Sequence, residues 1–176
     1  MNGTNRNRLE GAVRRGMGMW MLAAMLMCAA LTGCASAPPP HGLDAAQIAA
    51  LKDAGFKQTD DGWEFGISDT LLFESDKFEV QPGAQQVIDR VAQTLTKAGI
   101  SQVKVYGYTD STGTDAHNDR LSAQRAKAVA DVLIAAGMAG QKIESIGAGK
   151  LHPVADNSTA EGRAQNRRVA IVISLP

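Results

Sequence analysis

The 176-residue chain balances 18 basic against 18 acidic side chains, is 44% hydrophobic and has two cysteines, Cys28 and Cys34. That balance lacks the basic footprint of a nucleic-acid-binding protein. The three histidines, His41, His117 and His152, are scattered, and no Cys/His spacing suggests a zinc motif or any other metal or cofactor site.

The first residues read as a secretory signal: Arg6, Arg8, Arg14 and Arg15 make a basic start, Gly16 to Ala30 is apolar, and "LTGC" puts small residues at a cut. The apolar run is shorter than the ~20 residues of a spanning helix, and a turn-rich "PPPHG" follows it. Arg14 and Arg15 also suit twin-arginine export, but a basic start needs arginines in any case. "LTGC" resembles the bacterial lipobox, which implies that residues 1–33 are a lipoprotein signal peptide and that Cys34 is lipidated. Their loss removes four arginines and one glutamate, leaving 14 basic and 17 acidic residues on 143. One domain with a real core is expected from that length, and no internal repeat is visible. Cys28 leaves with the signal and Cys34 is the attachment site, so no pair remains for an intramolecular disulfide.

Next comes a Pro/Ala-rich tether, "ASAPPPHG", expected to be extended and semi-rigid. "LDAAQIAALKDAGF" predicts a short helix, with Asp44 as N-cap, Ile48 and Leu51 at helical spacing and Gly55 as stop. Residues 34–61 are thus a lipid-anchored linker and residues 62–176 the head domain. Trp63, Phe65 and Ile67 alternate as in a strand, and "TLLF", Thr70 to Phe73, continues it. "PGAQQVIDRVAQTL" predicts a helix with Pro82 early and Val87, Ile88, Val91 and Leu95 in one stripe. "SQVKVYGY" is a strand with Val103 and Val105 on one face and Tyr106 and Tyr108 on the other. A long helix follows from about Asp115, with Leu121, Val129, Val132, Leu133 and Ala136 inward and Gly137 at its end. "KIESIGAG" is a short strand, and "RRVAIVIS" is a closing strand with Val169, Ile171 and Ile173 on one face. The fold class is α+β: β-α-β-α-β(-α)-β, with helices on one face of a mixed sheet.

Two segments carry more than periodicity: "GYTDSTGTDAHNDRLSAQRAKAV" and "GAGKLHPVADNSTAEGRAQNRRVAIVIS". Together they resemble the OmpA/Pal peptidoglycan-binding family, in which "GHTDxxG…N…LSxxRAxxV" is followed by "GRAxNRRV". "AGFKQTDDGWEFGISDTLLF", between lipobox and head, is similar to the corresponding segment of YfiB-type outer-membrane lipoproteins. Tyr108 stands where the family usually has histidine, and "FES" replaces a frequent Phe-Asp.

The resemblance implies non-covalent binding to the diaminopimelate of the peptidoglycan stem peptide. Asp110 would meet its ammonium, and Arg125, fifteen residues later, would grip its carboxylate through a bidentate fork that lysine lacks. Asn118 lies two helical turns from Arg125 on the same face. Thr109, Phe73, Glu74 and Ser75 complete the expected site, with backbone N–H groups near Glu74 and Ser75 cradling the carboxylate. Read without the family, "TDSTG" is ordinary turn chemistry and a helical arginine is usually a solvated one. Arg167 and Arg168 are expected to pair with carboxylates at the sheet end, outside the site. Ser122 either braces the loop or faces solvent.

A peptidoglycan hydrolase is the rival, since Asp110, Ser111, Asp115 and His117 lie close in sequence. No nucleophile elbow or metal pair supports it, and the chain is read as a binding protein rather than an enzyme. The YfiB-type resemblance adds an alternative, in which the lipoprotein sequesters a periplasmic repressor and so activates a membrane diguanylate cyclase. Ala35 and Ser36 follow the cysteine, without the aspartate that commonly retains lipoproteins in the inner membrane. The expected location is therefore the outer membrane, lipid-anchored, with the head in the periplasm.

Overall fold

The computed structural model describes residues 42–74 and 76–174. The signal segment, Cys34 and most of the tether lie outside the described residues, as does Ser75. Among the described residues, no helix is long and apolar enough to cross a membrane.

Helix α1, Ala45–Asp53, opens with a reciprocal cap: the Asp44 side chain accepts from Gln47 N at 2.7 Å, and Gln47 Oε1 accepts from Asp44 N at 3.0 Å. Gln47 Nε2 also donates to Ala98 O, at the end of helix α3, Pro82–Lys97. Leu51 is fully buried, Phe56 nearly so, and Ile48 packs on the same core. The hydrophobic core thus reaches into residues 34–61, and the linker helix is docked on the head.

Strands β1, Lys57–Thr59, and β2, Gly62–Ser68, form a hairpin at one edge of a five-stranded sheet. The sheet is completed by β3, Val103–Tyr108, β4, Ile143–Gly147, and β5, Arg168–Ser174, in the order β1-β2-β5-β3-β4. Only β3 and β4 pair in parallel, so the sheet is mixed. Val103, Val105, Val169, Ile171 and Ile173 face the core with α1, α3 and helix α4, Asp115–Ala135. Tyr108, Ala170 and Val172 form a small cluster on the opposite side, packed with Tyr106. Alternation along the strands produces that division.

The strand expected through "TLLF" is instead a helical turn, α2, Asp69–Leu72. Asp69 N donates to Arg167 O at 3.0 Å, and Phe73 N then donates to Asp69 O at 2.8 Å. The reason is burial: Leu72 and Phe73 are both inside while Leu71 is exposed. A strand would send the adjacent Leu72 and Phe73 to opposite faces.

Helix α4 has one inward stripe whose chemistry changes along its length. Ala126, Val129, Ala130 and Leu133 bury against the core, whereas Asn118, Ser122 and Arg125 bury polar groups in its first half. This half lies directly on the sheet: a Cβ at Gly107 would overlap Ser122 O, and one at Gly147 would sit 2.7 Å from Ala123 N. The polar segment before β5 contains helix α5, Ala160–Asn166, capped by Thr159.

Candidate functional site

The end of β3, the start of α4, the turn α2 and the end of α5 enclose a hollow of about 610 Å3. Asp110, Arg125, Asn118, Thr109 and Phe73 all line it. Glu74 does not: it borders a separate hollow with Lys77, Glu79 and Pro82. Another hollow, of about 500 Å3 along Gln102, Lys104, Lys142 and Glu144, contains none of the expected residues.

Asp110 sits in the turn after β3. Its Oδ1 accepts from Thr112 N at 2.8 Å, so the local turn bond does form. Its Oδ2 accepts from Arg167 Nη1 at 2.8 Å. Thr109 is buried behind it, with N donating to Gly149 O and Oγ1 donating to Asp110 O. Asn118 Nδ2 donates to Thr112 O at 3.0 Å and closes the loop from inside. Ser122 is fully buried and braces the Gly149 segment, accepting from Gly149 N while donating to Asp119 O.

Arg125 lies across the hollow, almost fully buried. Its Nε donates to Lys77 O at 3.1 Å, its Nη2 lies 3.0 Å from Asp69 Oδ1, and its guanidinium carbon is 5.2 Å from the centre of the Phe73 ring. Asp69 also holds Arg167, with Oδ2 at 3.6 Å from Nε. Asp69 Oδ1 is paired with Arg125 by charge but accepts no aligned hydrogen bond.

Asp69 and Arg167 also line the hollow and were not among the site residues expected from the sequence. Reading "SDTLLF" as strand hid the Ser-Asp pair that opens a helical turn. Arg167 does pair with carboxylates at the sheet end as expected, and those carboxylates, Asp69 and Asp110, line the hollow. Arg168 instead stacks 3.8 Å from the Tyr108 ring centre, with Nε 4.0 Å from Glu64 Oε1. Tyr108 is not among the residues lining the hollow.

Burial would raise the Asp110 carboxyl, but hydrogen bonds from Arg167 and Thr112 outweigh it and hold the pKa below the ordinary 3.8. At Asp69 burial dominates and raises the pKa, against the pull of Arg125 and Arg167. Burial lowers the pKa of Arg125, opposed by Asp69 and Asp76, but a guanidinium stays charged near neutrality. The lining carries three arginines, Arg125, Arg163 and Arg167, and three aspartates, Asp69, Asp76 and Asp110. Among the described residues no group of His, Cys, Asp or Glu is placed to hold a metal ion. Such a site is suited to holding a ligand of both signs by charge-assisted hydrogen bonds.

The OmpA family model matches residues 72–167. This chain belongs to the OmpA family. That match includes Asp110, Asn118 and Arg125, ends at Arg167 and begins after Asp69. Over a longer span that includes the OmpA domain, the chain is 41% identical over 152 residues to the outer-membrane lipoprotein YfiB of Pseudomonas aeruginosa, covering 86% of this chain and 90% of that protein. It is 45% identical over 104 residues to the peptidoglycan-binding protein ArfA of Mycobacterium tuberculosis, covering 59% of this chain and 32% of that protein. Among solved structures, the cell wall anchor of the T6SS from Pseudomonas aeruginosa superposes with a TM-score of 0.62 at 32% identity, covering 78% of this chain and all of that one.

Proposed function

We propose that this OmpA-family chain is an outer-membrane lipoprotein, anchored through Cys34, whose head binds peptidoglycan non-covalently at the free zwitterionic end of diaminopimelate. The observation that carries the reading is the separation of opposite charges in one hollow, Arg125 at one side and Asp110 at the other, within a lining of three cations and three anions. A simple anion or cation would leave one side unmatched; a carbon bearing both an ammonium and a carboxylate matches both. The likeness to ArfA, a peptidoglycan-binding protein, and to the cell wall anchor of the T6SS supports peptidoglycan as the source of that group. With no reaction to run, Asp110 needs only to stay ionised, and its hydrogen bonds favour that state.

The test is co-sedimentation with isolated sacculi. Asp110→Ala is expected to leave the protein in the supernatant, and pelleting equal to the parent would rule out this hollow. For the anchor, Cys34→Ala is expected to abolish fatty-acid labelling.

A second reading is capture of a periplasmic repressor, and hence control of a diguanylate cyclase. One observation favours it: a pure tether needs only reach, yet α1 is docked through Leu51 and Phe56.

A further inference from the structure

Four side chains form a line of alternating charge across the floor of the hollow. Arg125 Nη2 is 3.0 Å from Asp69 Oδ1, Asp69 Oδ2 is 3.6 Å from Arg167 Nε, and Arg167 Nη1 is 2.8 Å from Asp110 Oδ2. The line begins in a cation and ends in an anion, and its four charges sum to zero. Both ends keep bonding capacity. Arg125 spends Nε on Lys77 O and Nη2 on Asp69, leaving Nη1 without a protein acceptor among the described residues. Asp110 Oδ1 accepts from Thr112 N and Oδ2 from Arg167 Nη1, and a carboxylate has about four lone-pair sites to offer.

We propose that Asp69 and Arg167 are positioning residues which form the rear half of a charge ring closed by the ligand, and that this pair makes the site select a zwitterion over a simple carboxylate. The ring runs Arg125, ligand carboxylate, ligand ammonium, Asp110, Arg167, Asp69 and back to Arg125. The inference deepens the peptidoglycan reading and rests on it for the ligand's chemistry.

Closing the ring adds a neutral group to a neutral line, so every charge has opposite neighbours on both sides. A ligand whose amine is acylated keeps only its carboxylate. It adds a net negative charge beside Asp69 and leaves the Asp110 end unmatched. Asp69 is therefore an internal penalty against lone anions, and Arg167 holds Asp110 at the spacing the ammonium must meet. Asp76 and Arg163 also line the hollow, but among the described residues no ion pair joins either to the line of four, and Arg163 Nη1 donates to Asn157 O and Ser158 O. Asp69 lies three residues before the segment that defines the family match, so this half of the site is not part of the matched pattern.

The experiment compares two probes by calorimetry on the full-length lipoprotein in detergent: L-alanyl-γ-D-glutamyl-meso-diaminopimelate, and the same peptide acetylated only on the free diaminopimelyl amine. The parent is expected to prefer the first probe. Asp69→Asn keeps the side-chain shape and removes the charge, and is expected to shrink the preference about tenfold, partly by improving binding of the acetylated probe. Arg167→Lys is the second variant; it keeps the charge but grips one carboxylate at a time, so it should shrink the preference in the same direction. A merely structural role would weaken both probes by the same factor, and an unchanged ratio in both variants overturns the ring alone if Arg125→Ala and Asp110→Ala still lose binding. Should those two variants bind both probes as the parent does, the zwitterion reading falls and the ring falls with it.

Discussion

Arg125 Nη2 lies 3.0 Å from Asp69 Oδ1 while Arg125 Nε donates to Lys77 O, so the base of the site is held by the fold before any ligand arrives. Read alone, a helical arginine is usually a solvated one, but Arg125 is buried. Arg125→Ala leaves Asp69 buried with one fewer cation, and breaking such a pair costs roughly 3–5 kcal/mol. Arg125→Lys keeps the charge but loses the fork, and its binding to sacculi is expected to weaken by about 1–3 kcal/mol. Urea unfolding and sedimentation together separate these effects: lysine should lose more binding than stability, and alanine should lose both.

Asp69 and Asp110 give opposite pH signatures. The folded pKa of Asp110 is held below 3.8 by Arg167 and Thr112, so its stabilising contribution is present above that value and is lost as pH falls through the lower folded value. Asp69 is raised above 3.8 by burial, with Arg125, Arg167, Asp110 and Asp76 facing it. Between those values the folded state binds more protons at Asp69 than the unfolded chain, so its contribution to stability falls as pH rises. Urea unfolding from about pH 3 to about pH 7 should therefore show the parent losing stability relative to Asp69→Asn as pH rises. Relative to Asp110→Asn, the parent should gain stability as pH approaches 3.8 from below and then level off. Matching slopes for the two comparisons would contradict the assignment.

Those two carboxylates also mark what was legible in the sequence. Asp110 and Arg125 stood out because a long motif fixes their spacing, and the alternation of Val103 and Val105 with Tyr106 and Tyr108 placed the preceding strand. Asp69 sits at the head of an apolar run whose periodicity fits a strand until Leu72 and Phe73 are both known to be buried, a tertiary fact. Ser122 became a brace only because Gly107 and Gly147 bring α4 onto the sheet beside Gly149. Asn166 falls on the asparagine of the GRAxNRRV pattern, but its partners lie in another loop, so its role was not legible. Fully buried, it accepts from Val154 N and Ala155 N and donates to Ala155 O and Asn157 Oδ1, fastening a loop that only the folded chain brings to it.

The linker helix offers a test that separates anchoring from capture. Alpha-1 is nine residues long, too short to persist alone in water, so its packing must hold it. Leu51 is the centre of that packing, fully buried, with Phe56 beside it at 5.3 Å from the Phe65 ring and Ile48 at the margin. Leu51→Ala is expected to cost about 2–5 kcal/mol where the site cannot collapse, and less if α1 simply lifts away and takes the cavity with it. Replacing Ile48, Leu51 and Phe56 together by serine should release the helix. Amide exchange should then speed up from residue 45 to residue 53, while Asp110 and Arg125, on other elements, still pellet the protein with sacculi. If docking hides a capture surface, recovery of a defined periplasmic repressor should rise with the release. Faster exchange with unchanged recovery of that repressor would leave α1 as part of the head's packing and the protein as a wall anchor.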